Sequence, residues 1–278
     1  MLQLFHSVSE NCSRLVAEKY STSFYSAIRL LHRDLRAPIC NIYGFVRFAD
    51  EIVDTFHSYD KASLLRQFKN ETYEAIERKI SLNPILNSFQ LTVNEYKIDH
   101  DLIEAFFRSM EFDLSKKVYN REEYGDYIYG SAEVVGLMCL QVFSGRNKKL
   151  YSQLQEHARA LGAAFQKVNF LRDLKADNND LSRMYFPGCD FNNFSENDKK
   201  EIEKDIQRDF KQAYDGIRNL PIKARFGVYV AYKYYLSLFK KIKRTDTCHI
   251  LQKRIRIPGH HKMMIVLRAG LKYQLKLL

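Results

Sequence analysis

Apolar residues recur along this chain with the period of a helix. Ile103, Phe106, Phe107 and Met110 follow at steps of three and one, as do Ile202, Ile206, Phe210 and Tyr214 at steps of four, so each set lines one helical face. Alternating runs flanking a tight turn are missing, and the one Asp-Gly pair, Asp215-Gly216, falls inside a helical pattern. Five prolines (Pro38, Pro84, Pro187, Pro221 and Pro258) leave long uninterrupted segments. The pattern predicts an all-α chain, a helical bundle formed by residues 1–278 as a single domain.

Some boundaries can be placed. Ser195 followed by Asp198 predicts the N-cap of an exposed amphipathic helix that stops before Pro221. The preceding stretch, Asp177 to Asn193, is dense in Asn, Asp, Gly and Pro and is expected to be a loop. No repeat of fixed period, low-complexity tract or linker divides the chain.

With 278 residues, 46% of them hydrophobic, the chain can bury a sizeable core, which excludes disordered and fibrous classes. Its formal net charge is +11, a value compatible with a nucleic-acid binder, a membrane-surface protein or an enzyme with an anionic substrate. The charge is unevenly placed. From Lys240 onward there are eleven basic residues and one acid, Asp246, so this basic C-terminal segment holds +10 of the total. Five cysteines without a CxxC pair give neither a disulfide framework nor a zinc site, which points to a reduced, cytoplasmic setting. No secretory leader and no run of about 18 apolar residues is visible, so the chain is expected to be soluble or to touch a membrane only peripherally.

Candidate chemistry lies in two acidic stripes. Asp50 and Asp54 are four residues apart with Arg47 a turn earlier, hence on one helical face. Alone, such a pair fits a solvated face or an Arg47–Asp50 surface ion pair. A second stripe changes the balance: Gln166, Asn169, Asp173 and Asp177 follow at steps of three and four among Phe165, Val168, Phe170 and Leu171. Oxygen-bearing side chains on an apolar helix are costly to bury without cations. Two facing stripes of hard oxygen donors suit magnesium beside a diphosphate. They would not suit a groove for nucleic acid, so no nucleic-acid partner is expected.

These segments resemble the trans-head-to-head prenyl synthases, the family of phytoene, squalene and dehydrosqualene synthases. The resemblance rests on YSTSF at 20–24, DEIVD at 50–54, YIYGSAEVVGLM at 127–138, NFLRDLKAD at 169–177 and RMYFP at 183–187, and extends from residue 20 to about 260. It implies an isoprenoid synthase bundle with a central apolar cavity. It further implies that Asp50, Asp54, Asn169, Asp173 and Asp177 ligate magnesium, with manganese as a possible substitute. Ser21, Ser23, Tyr43, Arg47, Gln166, Arg172 and Tyr235 would contact diphosphate or neighbouring substrate atoms. Where the family pattern often has His, this chain has Tyr20, whose phenol can still donate a hydrogen bond. Tyr127, Tyr129 and Tyr185 are candidates to stabilise a passing carbocation with an aromatic face.

The implied reaction joins two prenyl diphosphates, the substrate partners, through a cyclopropyl diphosphate. Geranylgeranyl diphosphate would give phytoene, as in carotenoid biosynthesis. Farnesyl diphosphate would give squalene or dehydrosqualene. GSAEVVGLM looks most like bacterial phytoene synthases, and no GxGxxG occurs, so NADPH is not expected for a phytoene synthase. Glu133 fits that branch or a plain ion pair with a nearby Arg or Lys equally well. Gly130, Ala132, Gly136, Ala163 and Ala164 fit close helix packing or room for an isoprenoid chain. A non-catalytic basic module that binds membranes or nucleic acid is the reading of another class. The segment HKMMIVLRAGLKYQLKLL has two readings, an interfacial helix against anionic lipid or a helix packing its apolar stripe on the body. His260 and His261, adjacent in sequence, are expected to be solvated.

Overall fold

The computed structural model describes residues 1–115, 118–181, 184–189 and 193–275, the side chains of 176–181 excepted. The helices are α1 (Leu2–Tyr20), α2 (Thr22–Ile28), α3 (Arg33–Asp54), α4 (Lys61–Arg78), α5 (Pro84–Tyr96), α6 (His100–Ser115) and α7 (Arg121–Ile128). After a π-helical turn (Tyr129–Glu133) come α8 (Val134–Ser144), α9 (Lys148–Leu181), α10 (Glu196–Asn219), α11 (Ile222–Lys243), α12 (Thr247–Ile250) and α13 (Gly259–Gln274). Among the described residues the one extended pairing is an isolated bridge, Val118 to Met184. The all-α expectation therefore holds.

Local chemistry sets the helix ends. Ser195 and Asp198 form a capping box, each side chain bonding the other residue's backbone N–H, at the start of α10. Asn120 and Glu123 do the same for α7. Asn83 caps α5 directly before Pro84 at its first position. The expected loop beginning at Asp177 is corrected: α9 continues to Leu181, because the growing helix carries a few Asn and Asp residues whose intrinsic preference is weak against an established helix. Residues 184–189 form no helix, as expected, and 182–183 and 190–192 lie outside the described residues.

Two apolar clusters build the interior. One joins α9, α10 and α11 through residues such as Leu171, Phe210, Ile217 and Phe239. The other joins α3, α5 and α6 around Phe45, whose ring stacks on Phe89 at 3.9 Å and meets Phe106 and Phe107 at 5.3 and 5.5 Å. The central α9, 34 residues long, is roughly 51 Å at the usual helical rise.

Small residues let the backbones close on one another where the clusters meet. A Cβ on Gly162 of α9 would lie 2.4 Å from the Ala132 carbonyl oxygen and 3.1 Å from Glu133 Cα. A Cβ on Gly130 would lie 2.5 Å from the Ala105 oxygen, and one on Gly136 2.6 Å from the Ala158 oxygen. Close packing is thus observed at Gly130 and Gly136, and Gly136, with Ala132, also lines the cavity. Glu133 forms an ion pair, accepting from Arg159 Nε at 2.7 Å.

The C-terminal helix α13 packs on α11. Ala269 is buried, Ile265 and Val266 are partly so, Tyr273 meets Phe226 at 5.0 Å, and Lys262 donates to Thr22. Yet Met263, Leu267, Leu271 and Leu275, at successive steps of four, stay exposed, so its apolar stripe is not fully placed on the body. His260 and His261 are exposed as expected. The stretch Arg121–Ser144 is long and apolar enough to cross a membrane by length and composition, but half of its most apolar window is buried in the bundle.

Gly162→Ala should destabilise the fold by about 1–3 kcal/mol, since only backbone atoms could yield; Gly125→Ala, whose Cβ meets nothing within 4 Å, should be neutral or slightly stabilising. Denaturant unfolding of the two variants against the parent checks this.

Candidate active site

Between the two apolar clusters lies a cavity of about 510 Å³. On α9 its lining runs from Asp173 to Leu154, nineteen residue steps, which is about 28 Å of helix. One end is polar. The rest is walled by residues such as Ile28, Leu31, Val135, Leu140, Leu161, Ile217 and Leu220.

The polar end collects most of the expected residues. Asp50 and Asp54 from α3 face Gln166, Asn169, Arg172 and Asp173 from α9 across the cavity, with Tyr20, Ser21, Tyr43, Arg47, Tyr127, Tyr185 and Tyr235 also in its wall. The side chain of Asp177 lies outside the described residues. Ser23 and Tyr129 are not in that wall: Tyr129 sits two residues after Tyr127, a step that turns a side chain to the far side of a helix, and Ser23 lies inside α2, whose N-cap, Ser21, is in the wall. Tyr129 instead lies under the Arg159 guanidinium at 5.4 Å.

The neighbours of each group account for its charge state. Arg47 takes Glu51, not Asp50, as its ion-pair partner, which leaves Asp50 open to the cavity, and its guanidinium covers the Tyr20 ring at 4.5 Å. Burial opposes the Arg47 charge, but Asp50 and Glu51 outweigh it and hold its pKa above the usual value. Asp50 keeps a partial opening to the cavity while protein surrounds it. Desolvation, then the nearby charges of Asp54 and, less, Asp113, push its pKa up to about 8 against the pull of Arg47. Burial raises the Tyr43 phenol to about 12, so it stays a neutral donor. Asp173 is held by two guanidiniums, Arg172 Nε at 3.0 Å and Arg254 Nε at 2.7 Å. Ser21 caps α2 by accepting from the Phe24 N–H, Gln166 Nε2 reaches Ser131 Oγ at 3.5 Å, and Tyr235 stacks on Phe165 at 3.8 Å.

Among the described residues no three Asp, Glu, His or Cys side chains converge as a ready metal cage. Two observations nevertheless fit a divalent cation held jointly with diphosphate oxygens. Asn169 Oδ1 is buried without a hydrogen-bond partner, and burial together with the charge of Asp54 raises the Asp50 pKa despite Arg47, so added positive charge would favour its ionised form. An open donor set completed by phosphate and water is how magnesium is usually bound.

Sequence reasoning missed Asp113 and Arg254, both in the cavity wall. Asp113 was detectable, because it follows Met110 by three and so continues the apolar stripe of α6, where an acid is out of place. Arg254 carried no local signal beyond its charge.

The squalene/phytoene synthase family profile matches residues 17–261. The chain belongs to this family. It is 27% identical to a phytoene synthase of Arthrospira platensis over 95% of this chain and 92% of that protein, and 27% identical to a 15-cis-phytoene synthase of Synechocystis over 94% and 84%. It also matches a bifunctional lycopene cyclase/phytoene synthase of Pyrenophora tritici-repentis at 22% identity, over 91% of this chain but spanning about half (49%) of that protein. In fold it resembles a ligand-bound dehydrosqualene synthase, with TM-score 0.81 at 18% identity covering 97% of this chain and 98% of the other. A squalene synthase of Alicyclobacillus acidocaldarius superposes with TM-score 0.73 at 19% identity, covering 86% and 94%. As a member of this family the chain is a prenyltransferase.

The raised Asp50 pKa has a consequence for stability. The fold keeps a proton that an unfolded Asp releases near pH 4, so the cation-free protein should lose stability between about pH 4 and 8. Asp50→Asn should remove that slope and melt a few degrees above the parent at pH 8, with the gap closing towards pH 4, as thermal melts across that range in chelator would read.

Proposed function

We propose that the chain condenses two geranylgeranyl diphosphates head to head, through a cyclopropyl diphosphate, to phytoene. The observation that carries this reading is the cavity's polarity: oxygen donors and arginines at one end of a lining that follows one helix for about 28 Å, with mostly apolar wall over the remaining roughly 16 Å from Phe165 to Leu154. The phytoene synthases of Arthrospira and Synechocystis, similar over nearly the whole chain, favour that product. The alternative, squalene or dehydrosqualene from farnesyl diphosphate, is favoured by the likeness in fold to synthases of those products.

Each residue's part follows from its position. Asp50, Asp54, Asn169 and Asp173 would hold magnesium, or manganese in its place, and Asp177 would join them. The cation supplies positive charge against which a diphosphate can leave. Arg47, Arg172 and Arg254 orient the phosphate oxygens, Tyr43 and Ser21 donate to them, and Tyr235 and Gln166 flank them. Ionisation of one diphosphate leaves an allylic cation that the double bond of the second molecule attacks. Beyond the polar end the wall keeps water from both cations, and Tyr127, Phe170 and Tyr185 present aromatic surface to them. Loss of a proton would end the sequence without NADPH.

Incubation with each prenyl diphosphate and magnesium, without NADPH, should yield a C40 hydrocarbon by mass; a C30 product alone would replace this reading by the alternative. Asp54→Asn should lower that turnover by about 10²-fold or more, the size of loss typical when one charge-stabilising group is removed from an active site.

The exposed Met263, Leu267, Leu271 and Leu275 of α13, interspersed with Arg268 and Lys272, support a peripheral contact with anionic lipid for a cytoplasmic enzyme whose product is water-insoluble. Replacing Met263, Leu267 and Leu271 by Ser should reduce pelleting with phosphatidylserine-containing vesicles without changing the melting temperature.

A further inference from the structure

Asp113 belongs to neither acidic stripe. It projects from α6, is 8% exposed, and reaches the cavity wall close enough to Asp50 for the two charges to interact. Its Oδ2 accepts a hydrogen bond from Tyr127 Oη at 2.8 Å. The Tyr127 ring is buried among aromatic neighbours, with Tyr119 at 5.0 Å, Tyr185 at 5.2 Å and Phe170 at 6.0 Å, and Phe170 and Tyr185 are themselves stacked at 3.9 Å.

Two physical effects follow from that bond. Ring stacking confines the plane of a phenol but leaves it free to slide, and a hydrogen bond at the tip removes that freedom. An ionised acceptor also draws on the O–H bond and enriches the ring in electron density, which strengthens its attraction for a cation. The acid that would disturb an apolar helix stripe therefore has a use: it fixes and polarises Tyr127.

We propose that Asp113 is a positioning residue that acts through Tyr127 to stabilise the cations formed after the cyclopropyl intermediate ionises, and so governs how much of that intermediate is carried on to hydrocarbon. This rests on the head-to-head reading. Both ionisations break a carbon–oxygen bond, with the electron pair leaving on diphosphate; Asp113 takes up no proton and forms no bond to carbon.

The test compares Asp113→Ala, Asp113→Asn, Tyr127→Phe and the Asp113→Ala/Tyr127→Phe double variant, reading kcat, KM and the ratio of released cyclopropyl diphosphate to hydrocarbon by mass. Asp113→Ala should lower kcat about tenfold, the scale of a weakened cation–π contact, leave KM within about threefold and raise the share of released intermediate. Asp113→Asn, which keeps an oxygen acceptor without the charge, should fall between Ala and the parent. The Ala substitution should have little further effect once Tyr127 is Phe, since the bond is already gone. A ¹³Cζ-tyrosine NMR spectrum, which needs no turnover, should show the Tyr127 resonance, assigned by its loss in Tyr127→Phe, shifted in Asp113→Ala. An active parent whose product ratio is unchanged by Asp113→Ala, or effects that add in the double variant, would overturn the role of Asp113 alone. A parent that turns over neither geranylgeranyl nor farnesyl diphosphate would overturn the head-to-head reading and this proposal with it.

Discussion

Like charges gathered at one end of an apolar cavity are the constraint around which this bundle is arranged. Asp50, Asp54, Asp113 and Asp173 share a wall, and bringing carboxylates together away from bulk water opposes folding. The molecule offsets this with cations of its own. Arg47 lies between Asp50 and Glu51, while Arg172 and Arg254 flank Asp173. Even so Asp50 holds its proton until about pH 8, and Asn169 keeps an oxygen unmatched. What is left unsatisfied in the isolated chain is what a cation and a diphosphate would satisfy, so affinity for ligand and reluctance to fold come from the same atoms.

The apolar half of the cavity depends on a different economy of space. The π-helical turn and α9 come close enough that a methyl group on Gly162 would enter the backbone at Ala132. The π-helical turn at Tyr129–Glu133 occupies the same crossing, and the extra residue in such a turn re-aims the side chains beside it. Tyr127, before the turn, faces the cavity; Tyr129, within it, faces Arg159.

Much of this was legible before any coordinates. Helical periodicity identified the fold class, and the repeated four-residue spacing of acids located both walls of the site. What was not legible has physical causes. Ser23 and Tyr129 belong to matching motifs, but a motif does not say which way each side chain turns, and their neighbours took the inward positions. The Asn- and Asp-rich end of α9 was read from local preference, which a long helix overrides. Arg254 reaches Asp173 from 81 residues away in sequence, a pairing that no window of sequence contains. Asp113 was the avoidable omission, an acid in register with Met110 on a stripe otherwise made of Ile and Phe.

Because the polar end and the distal wall are carried by one unbroken helix, α9 acts as a ruler. The separation between Asp173 and Leu154 is set by backbone hydrogen bonds and not by loops that could lengthen. Inserting or deleting a single residue between them would rotate everything beyond it by about 100° and swing half the lining out of the cavity. Capacity for a longer or shorter chain can therefore drift only by exchanging side chains for larger or smaller ones, one position at a time, while the length of this helix is held constant.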